Sequence, residues 1–333
     1  MKALLCKSYG PPDTLSLEEV PPARPGQGEV VVSIHACAVN FPDTLIIENR
    51  YQLKPELPFA PGGEVAGTVK AVGEGVTDFR AGDRVIAIPG FGGLADELVT
   101  TPNKLVPLPE GVSMEAAASL LITYGTTHYA LKDRACIQPG ETLLVLGAAG
   151  GTGLAAVELG KLMGARVIAA ASTDEKLAIC REHGADEVIN YSQDDLREKV
   201  RELTGGKGVD VVYDPVGGDL TEAALRGMAW KGRFLVIGFA SGSIPAPPLN
   251  LALLKGCSIV GVFYGAFQDW ERPRFLELTQ ELVGWLAEGR VKPLITSRYT
   301  LEQSVQALQD LGGRKAVGKI VVTTALGRSA TGL

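Results

Sequence analysis

The run Leu143-Leu144-Val145-Leu146-Gly147-Ala148-Ala149-Gly150-Gly151-Thr152-Gly153-Leu154-Ala155-Ala156-Val157 constrains this chain more than any other stretch. A short apolar segment bounded by Pro139-Gly140 and by glycine suits a strand covered on both faces, as in a parallel sheet. A helix starts directly after the turn. Gly150 and Gly151 let the backbone approach a phosphate, Gly153 lets the helix pack close to the strand, and free N–H groups at the helix start face an anion. The chemistry implied is pyrophosphate binding. Ala148 stands where the usual fingerprint has its first glycine, so a plain tight turn competes with this reading until context is added. The context is Gly164-Ala165-Arg166-Val167-Ile168-Ala169-Ala170-Ala171, the second strand of a βαβ unit, where a carboxylate would bind the ribose 2′-hydroxyl of NAD. Ala171 takes that place, Ser172 follows, and Lys176 opens the next helix. With no repulsion toward a 2′-phosphate and one cation to pair with it, the cofactor expected is NADPH.

A chain of 333 residues exceeds what one core usually supports, so two domains are expected. Hydrophobic residues at 46% and charged residues at 21% are ordinary for a soluble enzyme. A net charge of −6, without a basic run, argues against a nucleic-acid partner. The five cysteines, Cys6, Cys37, Cys136, Cys180 and Cys257, are scattered without a Cys-x-x-Cys pair and read as reduced thiols. No apolar run reaches transmembrane length, and Met1-Lys2-Ala3-Leu4-Leu5 is too short for a signal peptide. The expectation is a soluble cytoplasmic protein with no membrane contact.

Residues 1–120 carry short β-branched runs between proline and glycine turns, which predicts a β-rich domain. Its clearest strands are Glu29 to Ala36 and Val65 to Val72, with the turn Asn40-Phe41-Pro42-Asp43 between them. Residues 121–263 alternate strand and helix in a six-strand set, predicting a doubly wound parallel sheet of the Rossmann type. The loops after its strands should face the ligand: Val216 after Asp214-Pro215, Gly238-Phe239, and Phe263-Tyr264. Residues 264–333 return to mixed composition, with a helix around Arg274 to Glu288 and a last strand over Gly318 to Thr323. That strand is expected to rejoin the first domain, which makes the α/β domain an insertion. The tail after Thr324 reads as disordered.

The order of these motifs resembles the medium-chain dehydrogenase/reductase superfamily, and within it the zinc-free quinone oxidoreductase, or zeta-crystallin-like, branch. The resemblance rests on Asn40-Phe41-Pro42-Asp43, Pro61-Gly62-Gly63-Glu64-Val65-Ala66-Gly67, Gly82-Asp83-Arg84-Val85, Thr126-Thr127-His128-Tyr129, the Ala148 to Gly153 turn and Gly318-Lys319. It implies a GroES-like catalytic domain carrying the inserted Rossmann domain. Positions that hold the catalytic metal in zinc dehydrogenases match Asn40, Gly63 and Thr123, which are poor zinc ligands, so no metal is expected. The resemblance further places Asn40 and Thr127 near the nicotinamide. It places Gly150, Gly151 and Thr152 at the diphosphate, Ser172, Lys176 and Tyr191 around the 2′-phosphate, and Lys319 at the cofactor. Asp43 and Tyr51 match polar positions at the acceptor, where a tyrosine can donate to a developing oxyanion.

Plainer readings stand beside these. Asp43 suits a helix cap, Tyr51 a loop anchor, and His35 and His128 core positions. His183 suits a helix end, Cys37 an inert buried thiol, and Trp270 and Trp285 core packing. The function implied is NADPH-dependent reduction of quinones. The alternatives are reduction of an enoyl thioester or 2-alkenal, and non-catalytic NADPH binding. The free edge of the 258–263 strand predicts a homodimer.

Overall fold

The strand before the glycine turn, Thr142–Leu146, lies inside a six-stranded parallel sheet. From it the chain steps outward through Arg166–Ala171 to Glu187–Asn190, then returns to the other side of the first strand with Val209–Asp214. It continues through Met228–Val236 to the edge strand Ser258–Gly261. Leu143, Leu144, Val145 and Leu146 are fully buried, which is why this strand shows no polar alternation. Helices cover the sheet, and Leu144, Ile168, Val212 and Phe234 form one core with Val200, Leu225 and Leu251. The computed structural model describes residues 1–313 and 316–331.

The chain divides into two compact units, Thr123–Leu282 on one hand and Met1–Ile122 with Val283–Leu333 on the other. The return crossing therefore falls after Leu282 instead of the expected 263. The reason is aromatic packing: Phe267 stacks on Tyr129 with ring centroids 3.9 Å apart, and Tyr264 and Phe275 close around the pair. The helices Tyr264–Trp270 and Arg272–Ala287 begin inside the α/β unit because these rings hold them there. Trp270 is a correction to the core reading. It is 86% exposed, since Tyr264, Phe267 and Gln268 take the buried face of its short helix.

In the β-rich unit the organising strand is Val30–Val39, antiparallel to Val65–Val72 and to Glu97–Thr100. The last strand, Lys319–Thr323, pairs with it as well, with Val321 opposite Ala38 and Val322 opposite Cys37. The C-terminal segment thus rejoins the first sheet, as the composition suggested. The tail is not disordered through its described length: Ala325–Thr331 is a helix. Thr324 donates its hydroxyl to Ile34 C=O at 2.6 Å, and Gly327 sits so close that a Cβ there would meet His35 O at 2.1 Å. Among the described residues no helix is long and apolar enough to cross a membrane.

Candidate functional site

The chain reverses its direction across the α/β sheet between Thr142–Leu146 and Val209–Asp214, and such a switch point opens a crevice at the carboxyl ends of the strands. The glycine turn lies there. Gly147 has φ +58 and makes the left-handed turn, so alanine at 148 costs the turn nothing. Gly153 is required by contact: a Cβ would come 2.3 Å from Gly147 O and 2.8 Å from Ala148 Cα. Gly150 differs, because a Cβ there meets only Gly147 O at 3.4 Å, which leaves space above the turn for a ligand. The helix Gly151–Leu162 makes its first internal bond from Leu154 N–H to Gly150 C=O, so the N–H groups ahead of it, Thr152 among them, lie at this space.

Asp214, nearly buried, fixes the opposite wall. It accepts the N–H groups of Val216 and Gly217 at 2.9 and 2.8 Å and the Thr221 hydroxyl at 2.7 Å. Val216 reaches over the turn, within 2.7 Å of a Gly147 Cβ position, and Phe239 lies against Gly217 beside Gly238. At the next strand ends, Asn190 pairs with Ala171, and Tyr191 N–H donates to Ala171 C=O at 3.2 Å. Tyr191 and Ser172 are thereby side by side. Thr173 caps the helix Asp174–Glu182 by accepting the Lys176 N–H, which sets Lys176 in the first turn of the same corner. Strand register and the Thr173 cap thus set the backbones of Ser172, Lys176 and Tyr191 at neighbouring strand and helix ends.

Three predicted cofactor residues of this unit sit differently. Thr127 is fully buried, and its hydroxyl is engaged by Thr123 C=O at 2.9 Å, Tyr213 Oη at 2.8 Å and Thr152 C=O at 3.3 Å. It ties its helical turn to the start of the glycine-turn helix. Tyr264 belongs to the aromatic cluster and is 9% exposed, with its hydroxyl end against Gly125. Phe263 is exposed, one residue outside that cluster. His128 is a core residue as expected, its Nδ1 3.2 Å from Leu278 C=O, and burial pushes its pKa down to about 4. His183 follows its helix end and binds Glu158 at 2.5 Å.

The β-rich unit brings together Asn40, Asp43, Glu64 and Lys319, all buried. Asn40 stands at the N-cap of the helix Phe41–Ile47, where Asp43 accepts the Asn40 N–H at 2.7 Å and donates its own N–H to the Asn40 backbone C=O at 2.9 Å. The cap reading of Asp43 is therefore correct, yet the carboxylate also accepts Gly62 and Gly63 N–H groups. Burial still dominates and raises its pKa to about 6. Lys319 Nζ donates to Asn40 Oδ1 at 2.5 Å and pairs with Glu64 at 3.8 Å, and burial lowers its pKa. Its ammonium is thereby anchored on Asn40 inside this unit. Tyr51 packs against the same core; burial first, then the Asp43 charge, raises its phenol pKa. Cys37 is inert: burial holds its pKa well up, and its sulfur lies 2.8 Å from where a Gly62 Cβ would be.

Sequence reasoning missed Glu64 and Tyr213 as site residues. Each is a polar or charged residue at the end of an apolar strand, which was the available signal. Among the described residues no group of three His, Cys, Asp or Glu side chains is placed to hold a metal ion.

Comparison with known proteins adds names to this geometry. Residues 26–110 match the family described as "Alcohol dehydrogenase GroES-like domain" and residues 151–281 that described as "Zinc-binding dehydrogenase". "Quinone oxidoreductase-like protein 2" of Bos taurus is 42% identical, over 97% of this chain and 92% of its own length. The structure of Escherichia coli quinone oxidoreductase complexed with NADPH aligns with TM-score 0.89 and 31% identity, covering 97% of this chain and 100% of that one. A solved 2-haloacrylate reductase aligns with TM-score 0.85 and 32% identity, over 97% and 99% of the two chains.

Proposed function

Since this chain belongs to the quinone oxidoreductase branch of the medium-chain dehydrogenase/reductase superfamily, we propose that it is an NADPH-dependent reductase of quinones that works without a metal. The observation that carries the reading is Lys319. Its ammonium bonds to Asn40, which matches a metal-ligand position of the zinc dehydrogenases, so a positive charge already sits beside the place a cation would take.

The residues of the switch-point site fit a dinucleotide. Gly150, Gly151 and Thr152 with the helix start bind the diphosphate, Ser172, Lys176 and Tyr191 hold the 2′-phosphate, and Val216, Gly238 and Phe239 border the crevice. Phe263 is retained as an outer contact, whereas Thr127 and Tyr264 support the site from within. When bound, NADPH supplies a hydride. The chain's own work is to orient the two reactants, exclude water and manage one proton. Tyr51 donates a hydrogen bond to the oxygen on which charge develops, and Asp43, with its raised pKa beside it, returns the proton. Asn40 orders the surrounding loop. The free thiols suit a reducing cytoplasm, and the uncovered sheet edge suits a homodimer.

A second reading, reduction of an activated C=C bond in an alkenal or enoyl thioester, has the 2-haloacrylate reductase likeness in its favour. The test is NADPH oxidation by EDTA-treated protein with 1,4-benzoquinone, a 2-alkenal and crotonyl-CoA. Turnover with the quinone is expected. Turnover with crotonyl-CoA but not the quinone sinks the quinone reading, and tight NADPH binding with no turnover on the whole panel leaves a non-catalytic binder.

A further inference from the structure

We infer that Glu64 is the positioning residue of the Asn40 site: with Lys319 it fixes which way round the Asn40 carboxamide sits, so that Asn40 offers a ligand an oxygen lone pair and no N–H. This deepens the reductase reading above and rests on it for the activity of the site.

The argument is one of donors and acceptors. Lysine ammonium can only donate and an ionised carboxylate can only accept. Lys319 Nζ is 2.5 Å from one end of the Asn40 carboxamide, which must therefore be the oxygen. Glu64 Oε2 is 3.2 Å from the other end, which must be the nitrogen, and Ala38 C=O takes the second amide hydrogen at 3.1 Å. Both N–H bonds are thus used, and the backbone N–H is used by Asp43. What remains is one lone pair on Oδ1. Glu64 cannot swing away, because its other oxygen accepts Ile122 N–H at 2.9 Å and the residue is fully buried. A group that approaches Asn40 must then bring a hydrogen, as a hydroxyl or amide N–H does. A carbonyl oxygen is repelled and is left to another donor, such as Tyr51.

The orientation can be read without turnover. In protein labelled with 15N at asparagine, the Asn40 carboxamide signals are assigned by their loss in Asn40→Ala. They should exchange with solvent slowly in the parent and at least tenfold faster in Glu64→Gln, whose side chain can both donate and accept. Equal rates overturn the assignment. Activity supplies the second readout: Glu64→Gln should lower kcat at least tenfold with the KM for 1,4-benzoquinone within threefold. The double variant Glu64→Gln/Lys319→Met removes both members of the Glu64–Lys319 pair, leaves Asp43 to its backbone N–H donors, and should recover at least half of any Tm lost while kcat stays low. It carries the same readouts if the single variant fails to fold. Recovery of kcat together with Tm makes Glu64 a packing residue and overturns the proposal. If the parent itself reduces no acceptor in the panel, the reductase reading fails, and amide exchange still decides the role of Glu64.

Discussion

Asp43 holds a charge in a place that disfavours it, and this has a measurable sign. Its pKa rises from 3.8 to about 6 on burial. The folded state therefore binds the proton more tightly than the unfolded chain. That stabilisation is fully present below pH ~4 and is lost as pH rises through ~6, a span of about 3 kcal/mol. Asp43→Asn has no charge to bury, so its stability relative to the parent should climb by up to about 3 kcal/mol between pH 4 and 7. Urea denaturation across that range measures it, and a flat difference would mean that Asp43 ionises as it does in water. Tyr51 makes the catalytic prediction at this scale. Tyr51→Phe should lower kcat about 10- to 100-fold with little change in fold; unchanged kcat would leave Tyr51 a loop anchor. Asn40 and Asp43 were legible because a turn motif frames them. Glu64 was not, since a lone carboxylate opening an apolar strand has no spacing partner, and its meaning appears only when Lys319 arrives from the far end of the chain.

Whole elements were legible where local chemistry decides them. The glycine turn is the best case, and its glycines separate by cause. Gly153→Ala forces a Cβ against the backbone of Gly147 and Ala148, which no side-chain rotation relieves, so a loss above about 2 kcal/mol is expected by thermal or urea unfolding. Gly150→Ala meets no such contact within the protein; it should keep its Tm and lose affinity for NADPH. Equal effects of the two on stability would refute the division. In the function proposed, the neighbouring helix Asp174–Glu182 carries the cofactor preference through Lys176 in its first turn. NADPH should bind at least tenfold tighter than NADH, about 1.4 kcal/mol, and Lys176→Ala should remove most of the difference in a fluorescence titration. The C-terminal helix Ala325–Thr331 escaped notice because its hold is a close backbone approach at Gly327 and a threonine hydroxyl, not an apolar stripe that periodicity reveals.

At the scale of the molecule, the unit boundary and the assembly depend on contacts distant in sequence. The boundary was misplaced because composition changes near residue 264, whereas Tyr129 recruits Tyr264 and Phe267 from beyond it, and Phe275 packs on those two. Assembly follows from what the α/β unit leaves uncovered. Ser258–Gly261 is the outermost strand of its sheet, with Ile259 43% exposed, and Leu253, Leu254 and Trp230 of the same unit stand 79%, 69% and 68% exposed. An open strand edge next to large apolar side chains invites pairing. In the homodimer we propose, a second copy would meet it with the identical surface about a twofold axis, extending the sheet and closing the assembly at two. The parent should therefore sediment as a dimer, and Ile259→Lys combined with Leu254→Glu should yield a folded monomer that still binds NADPH, because neither residue borders the glycine turn. A parent that sediments as a monomer removes the dimer and leaves this edge to a different partner. A double variant that stays dimeric moves the interface to another face.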